Sequence, residues 1–498
     1  MVNKNNLKEE KKIYLSYFYW CLPLFLLIPQ VFFTFNSMNQ IRYEELAESV
    51  RNVFWLQHGF VYDGVSSNIG WYGILLFIYN IFGFSLFTAK IFRLILQLVS
   101  LFALAKLMSI YLGKRYGWIP LVTIASSPTL LYLNTIQTSY GIDLQMLPIC
   151  ILILVTIDLK NKIRAYLRLI LFWMLVMFTW MSYATFLFYI PLLVVLYIWA
   201  LHKNLQDKNF HQRIRYMLSL SNLSLIAFIT PLIIGCIFVT NRNVLLSDPV
   251  TGRGIFRGGV TLTLTQPHFI NNFSSIIQDF FISGKSYYFE LFKADFSDYY
   301  PIIALLVVML ISIIMVIRNK SYRLPILCIW GMILGTYILI SMTSDSTNLL
   351  GMRRNTPILT GIYALFILTW YYVTHISWRS QLLRNIVYGL YMLLCIHNLL
   401  VFPTNFSHLH DNSVYDYQFI PGKSPTESLS ILVQQTKKHD LDLTCKKSDC
   451  RYQEVYSAVA GYCVWNKLSC HNIYGYDYQT ENTILLSPEI WNTYMFSH

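Results

Sequence analysis

The chain has 498 residues, of which 55% are hydrophobic, 16% aromatic and only 13% charged, with a formal net charge of +13. Soluble domains carry about 25% charged residues, so too few polar side chains exist here to cover soluble surfaces of this length. The same composition excludes a disordered, collagen-like or coiled-coil chain and indicates an all-α polytopic membrane protein.

A bilayer crossing needs about 17–25 mainly apolar residues. Such runs occur at 14–35, 88–111, 117–134, 142–158, 166–184, 185–201, 217–240, 300–317, 324–342, 356–374 and 383–402, which predicts eleven spans. The first run is too long, and too poor in small residues at its end, for a cleaved signal peptide, so it reads as a retained anchor. The run Gly70–Phe87 is short, holds Asn80 and three glycines, and abuts the next span. It reads as reentrant or interfacial, because a crossing there would move every later basic loop to the other side of the membrane.

With the N-terminus cytoplasmic, the cytoplasmic segments carry 20 of the 38 Lys and Arg residues but only Glu9, Glu10, Asp158 and Asp207 among the acids. The basic balance is thus a topology signal, and no nucleic-acid partner is needed to explain it. Outside the cytoplasm lie a first loop (36–87), a middle loop (241–299) and a tail (403–498). The expected domains are therefore a transmembrane unit over 1–402 and a small extracytoplasmic α+β domain over 403–498, with Ser428–Val433 and Thr483–Leu486 as candidate packing segments.

Cys21, Cys150, Cys236, Cys328 and Cys395 fall in or beside spans, whereas Cys445, Cys450, Cys463 and Cys470 cluster in the tail. An even cluster on an oxidising side reads as two disulfides. A zinc site using His471 is the rival, although spacings of four, twelve and six residues fit standard zinc patterns poorly. No nucleotide-binding motif or internal repeat is present.

The extracytoplasmic side carries the candidate chemistry. In the first loop Tyr43, Leu46, Ala47, Val50 and Phe54 share one helical face, opposite Glu44, Glu45, Glu48, Arg51 and Asn52. This predicts an amphipathic helix lying on the bilayer. Its glutamates either solvate the polar face or act as bases. Asp143 opens the fourth span, where it either caps a helix or joins a site. Arg353 and Arg354 precede the tenth span on the side where cations are scarce, so they address something anionic, a donor phosphate or a lipid headgroup. The middle loop adds Arg242, Arg253, Arg257, His268 and Lys285 among glycines, a weak signal for a lid-like turn.

These residues resemble the membrane-embedded C-type glycosyltransferases (GT-C), in the branch of protein O-mannosyltransferases and lipid A aminoarabinose transferases. The likeness rests on the retained first span, the acidic loop helix and the stretch Ile81–Leu94, where glycine, serine and a small residue near an arginine lead into the next span. Ser127-Pro128 followed by Asp143, and Arg353-Arg354-Asn355-Thr356-Pro357, complete it over residues 14–402. The resemblance implies a multi-pass protein of the bacterial cytoplasmic membrane that takes a sugar from a polyprenyl-phosphate donor and passes it to an acceptor hydroxyl of a lipid, glycan or protein. It assigns Glu44 or Glu45 as base with help from Asp143, and Arg353 and Arg354 at the phosphate. No cofactor is assigned, and a divalent cation beside the carboxylates stays open. The family has an Asp-Glu pair early in the first loop. One register places Asn39-Gln40 there, which cannot act as a base, and a shift of five residues places Glu44-Glu45. Chemistry favours the second. The alternatives in other classes are a polymerase, ligase or flippase of lipid-linked glycans, and a catalytically silent scaffold.

Overall fold

A computed structural model describes residues 4–36, 68–83, 86–127, 141–157, 162–204, 299–341, 356–378, 380–411, 474–477 and 482–485, with Ser49, Val53, Leu56, Leu130, Ser139, Asn209, His211 and Gln212. Its helices in chain order are α1 (Lys4–Asn36), α2 (Ile69–Phe82), α3 (Leu86–Tyr111), α4 (Gly113–Ala125), α5 (Ile142–Val155) and α6 (Lys162–Ser182). After a 3-10 turn at Ala184–Tyr189 come α7 (Ile190–Asn204), α8 (Tyr299–Arg318), α9 (Lys320–Ser341), α10 (Thr356–His375) and α11 (Gln381–Asp411). In the tail, β1 (Tyr474–Asp477) pairs antiparallel with β2 (Asn482–Leu485), Tyr474 opposite Leu485.

Four helical stretches, Thr88–Tyr111, Ile163–Ser182, Thr356–His375 and Gln381–Leu400, are long and apolar enough to cross a membrane. Shorter apolar stretches lie at Ser16–Phe32, Ile69–Phe82, Ile142–Val155, Leu306–Arg318 and Tyr322–Thr336. Their outward faces carry Phe25, Phe32, Phe77, Leu167, Leu310 and Leu382, all more than half exposed, as a surface facing lipid does. The chain is a helical membrane protein.

Two differences from the hydropathy reading have local causes. The apolar run read at 117–134 is interrupted: α4 ends at Ala125, and Leu130 is helical again. There Ser126 turns back onto the carbonyl of Val122 through both its backbone and its hydroxyl, and Ser127 precedes a proline, which biases it out of the helical region. The run Gly70–Phe87 is not one element: α2 ends at Phe82, Gly83 adopts φ 77°, and α3 has begun by Leu86.

The packing is antiparallel where α1 meets α3. Tyr19 donates to the carbonyl of Ala105 at 2.6 Å, while Leu27, two turns further along α1, packs with Leu94 and Leu98, further back along α3. A large core joins α1, α3, α4, α8, α9, α10 and α11 around Trp370, Tyr391 and Phe366, and a second gathers α5, α6 and α7 around Phe172 and Tyr189. Helix α2 lies mainly on α6. That approach depends on Gly70, because a Cβ there would stand 2.8 Å from Ser182 Oγ and 2.9 Å from the Phe178 carbonyl oxygen.

Candidate functional site

The N-terminal turns of α5 and α10 meet around Asp143. Gly141 caps α5 in the left-handed region at φ 77° and offers no side chain, so Asp143 is the second residue of the helix and not its cap. Its carboxylate turns inward and is 0% exposed. Oδ2 accepts a hydrogen bond from Thr356 Oγ1 at 2.5 Å and a longer one from the Tyr189 hydroxyl at 3.4 Å. The Tyr189 hydroxyl also meets Thr360 Oγ1, one turn along α10, at 3.0 Å. The capping role that the sequence left open for Asp143 is thus replaced by tertiary bonds.

A cation faces this carboxylate. Arg93, on α3 and 1% exposed, lies within electrostatic reach of Asp143, and its guanidinium carbon stands 5.3 Å from the centre of the Trp71 ring. The same indole packs on Phe92 at 5.8 Å between centroids. Charges buried among apolar helices are costly singly, and a carboxylate beside a guanidinium offsets both costs. The planar guanidinium over an indole adds a cation–π contact in a desolvated setting. Lys90, one turn earlier on α3, is also buried at 3% exposure. One turn beyond Arg93, Gln97 Oε1 accepts from Gln145 Nε2 at 2.9 Å, which extends the polar layer from α3 to α5. Nearby on α10, the Tyr363 hydroxyl bonds Ser127 at the end of α4.

The layer therefore joins α2, α3, α4, α5, the 3-10 turn and α10 at one end of the helices. Chemically it is a fixed acid–base-paired floor with hydroxyl and amide donors around it. Among the described residues no group of three or more His, Cys, Asp and Glu is placed to hold a metal ion.

Of the sequence candidates, only Asp143 belongs to the described residues. Glu44, Glu45, Asn39, Gln40, Arg353, Arg354, the middle-loop cations and the tail cysteines Cys445, Cys450, Cys463 and Cys470 lie outside them. Within the first loop, Ser49 and Val53 are fully buried; they lie at the edge of the apolar face read from the sequence.

The sequence motif Ile81–Leu94 includes Lys90 and Arg93 but gives them no partner, and Trp71, Tyr189, Gln97 and Gln145 do not stand out in the sequence. A signal for two of them existed. Lys90 and Arg93 sit three residues apart in an otherwise uncharged run from Leu86 to Ala105, and ionisable residues in such a run mark functional positions. Trp71, Tyr189 and the glutamines carry no such mark, because only the tertiary fold pairs them. No family model, curated protein or solved structure matches this chain.

Proposed function

We propose that this protein is an integral membrane glycosyltransferase that moves a sugar from a polyprenyl-phosphate donor to an acceptor hydroxyl at the extracytoplasmic face. The observation that carries the reading is the Asp143–Thr356 bond beside Arg93. It ties together three of the segments on which the family resemblance rests: the start of α3, the start of α5 and the start of α10, where the motif Arg353–Pro357 ends. Arg354 precedes Thr356 by two residues, so the covalent chain holds its Cα within about 7 Å of the Thr356 Cα. An arginine pair two and three residues before Thr356 in the sequence suits a donor phosphate, which needs forked donors and a fixed electrostatic setting.

On this reading Asp143 is a positioning residue. Fully buried and bonded to Thr356, it fixes the first turn of α10, which the arginine pair directly precedes in the sequence, while Glu44 or Glu45 removes the acceptor proton. The distribution of Lys and Arg puts the N-terminus in the cytoplasm and the Asp143 end outside, where such donors are used. Among the described residues the buried charges stand in the first eight residues of α3 and the first turn of α5. A flippase, whose cargo crosses the bilayer, calls for charge along the depth of several spans, so the transferase is favoured. The test is to incubate the purified protein with a panel of polyprenyl-phosphate sugars and follow donor consumption with and without a divalent cation. Consumption of one donor supports the reading; inertness towards all of them, with the protein folded, favours the silent scaffold.

A further inference from the structure

A second concentration of charge lies at the opposite end of the bundle. Lys106 is about 20 Å further along α3 than Arg93, at 1.5 Å per residue. Two ammonium groups converge there on one indole: Lys106 Nζ is 5.8 Å and Lys114 Nζ 5.7 Å from the Trp20 ring centre. Lys114 also donates to Ser16 Oγ at 2.5 Å. Beside it, the Arg115 guanidinium carbon stands 5.4 Å from the Tyr116 ring. Arg384 of α11 completes the group, since it and Arg115 both act electrostatically on Tyr388. Trp370 holds these aromatics together, with its ring 5.1 Å from Tyr388 and its indole N–H on the Tyr116 carbonyl at 2.9 Å.

No ion pair joins Lys106, Lys114, Arg115 or Arg384 to a carboxylate among the described residues. The Nε of Arg384 is buried and has no hydrogen-bond partner. Among the described residues no acid balances these four cations, which are held against aromatic rings at the level where spans end. Towards the middle of the bilayer from them, α1 exposes Leu24, Phe25 and Ile28, and α3 exposes Val99 and Ile95. Charge complementarity asks for an anion, the forked donors of arginine suit a phosphate, and the exposed apolar strip suits acyl chains attached to it.

We propose that the corner formed by α1, α3, α4 and α11 binds the phosphate headgroup of an anionic phospholipid. Lys106 and Lys114 clamp the headgroup against Trp20, and Arg115 with Arg384 flanks it. A merely solvated set of cations would show no preference among lipids of equal chain length. Native mass spectrometry of the full-length protein in detergent tests this with phosphatidylglycerol against phosphatidylcholine, and with inorganic phosphate as a competitor. Phosphatidylglycerol should be retained in preference, and inorganic phosphate should fail to displace it. Lys106→Gln with Lys114→Gln should weaken retention by about fivefold per cation removed. Lys106→Arg with Lys114→Arg should keep it, because charge and ring contact survive. Equal retention of the two lipids by the natural protein, an unchanged preference in the Gln pair, or displacement by inorganic phosphate would overturn the proposal.

Discussion

Thr356 donates its hydroxyl to Asp143 Oδ2 at 2.5 Å, so the first residue of α10 and the second residue of α5 share one buried bond. With Arg93 within electrostatic reach of the same carboxylate, three helices depend on one charged group. Asp143→Asn leaves the guanidinium buried without its counter-charge and should cost about 3–5 kcal/mol. Replacing both partners, Asp143→Leu with Arg93→Met, should recover much of that loss. Thermal unfolding of the detergent-solubilised protein reads both. A double variant no more stable than Asp143→Asn would show that the pair is not the source of the effect.

The close approach of α2 to α6 gives a second test. Gly70→Ala places a methyl group against the Phe178 carbonyl oxygen and Ser182, so one helix must move. The expected cost is about 1–3 kcal/mol. Adding Ser182→Gly should recover only part of it, since the Phe178 backbone oxygen stays in place. Full recovery would locate the clash in the Ser182 hydroxyl alone.

For the transfer reaction, Glu44→Gln or Glu45→Gln should lower turnover by about 10²–10⁴-fold with donor binding near normal, if that residue is the base. Arg353→Ala or Arg354→Ala should weaken donor binding as well as turnover. Full activity in both Gln variants would remove the glutamates from the mechanism. A transfer that appears only in Asn39→Asp would show that the Asn39-Gln40 register is the family's acidic position and the natural chain a silent relative.

In the tail, non-reducing digestion should recover Cys445, Cys450, Cys463 and Cys470 linked among themselves. Reduction should destabilise the tail by about 2–4 kcal/mol per bridge and leave the helices assembled. Free thiols at all four positions, or bound zinc, would favour the metal reading.

Topology is measured separately. Reporter fusions after Arg115, Arg164, Arg215 and Arg323 should report cytoplasm, and fusions after Asp143, Lys285 and Ser428 the other side. A cytoplasmic signal at Ser428 would reverse the placement of the tail and weaken the disulfide argument with it.

The helices were largely legible in the sequence, and the site much less so. Hydropathy finds α3, α8 and α10 nearly to the residue because long apolar runs dominate local choice. It misses the break after α4, where Ser126 and Ser127 before a proline interrupt an apolar run that is helical again at Leu130. Asp143 stood out as an acid at the head of an apolar run. Its partners did not, because Thr356 and Tyr189 are ordinary residues in such runs until the fold brings their hydroxyls to the carboxylate. Trp71 likewise reads as a membrane aromatic, and only its placement under Arg93 gives it a distinct role.

The Arg93–Asp143 pairing also bears on how the chain is made. Ribosomes deliver α3 before α5, so the guanidinium of Arg93 and the ammonium of Lys90 reach the insertion machinery while their carboxylate is still unsynthesised. A cation near the middle of a span costs about 2.5–3.5 kcal/mol on insertion, and one nearer the end costs less. The apolar remainder of α3 outweighs this, yet the helix gains its lasting position only when α5 arrives and supplies Asp143. Helix α3 therefore enters lipid on the strength of its own apolar length, and Arg93 gains its counter-charge only once α5 follows.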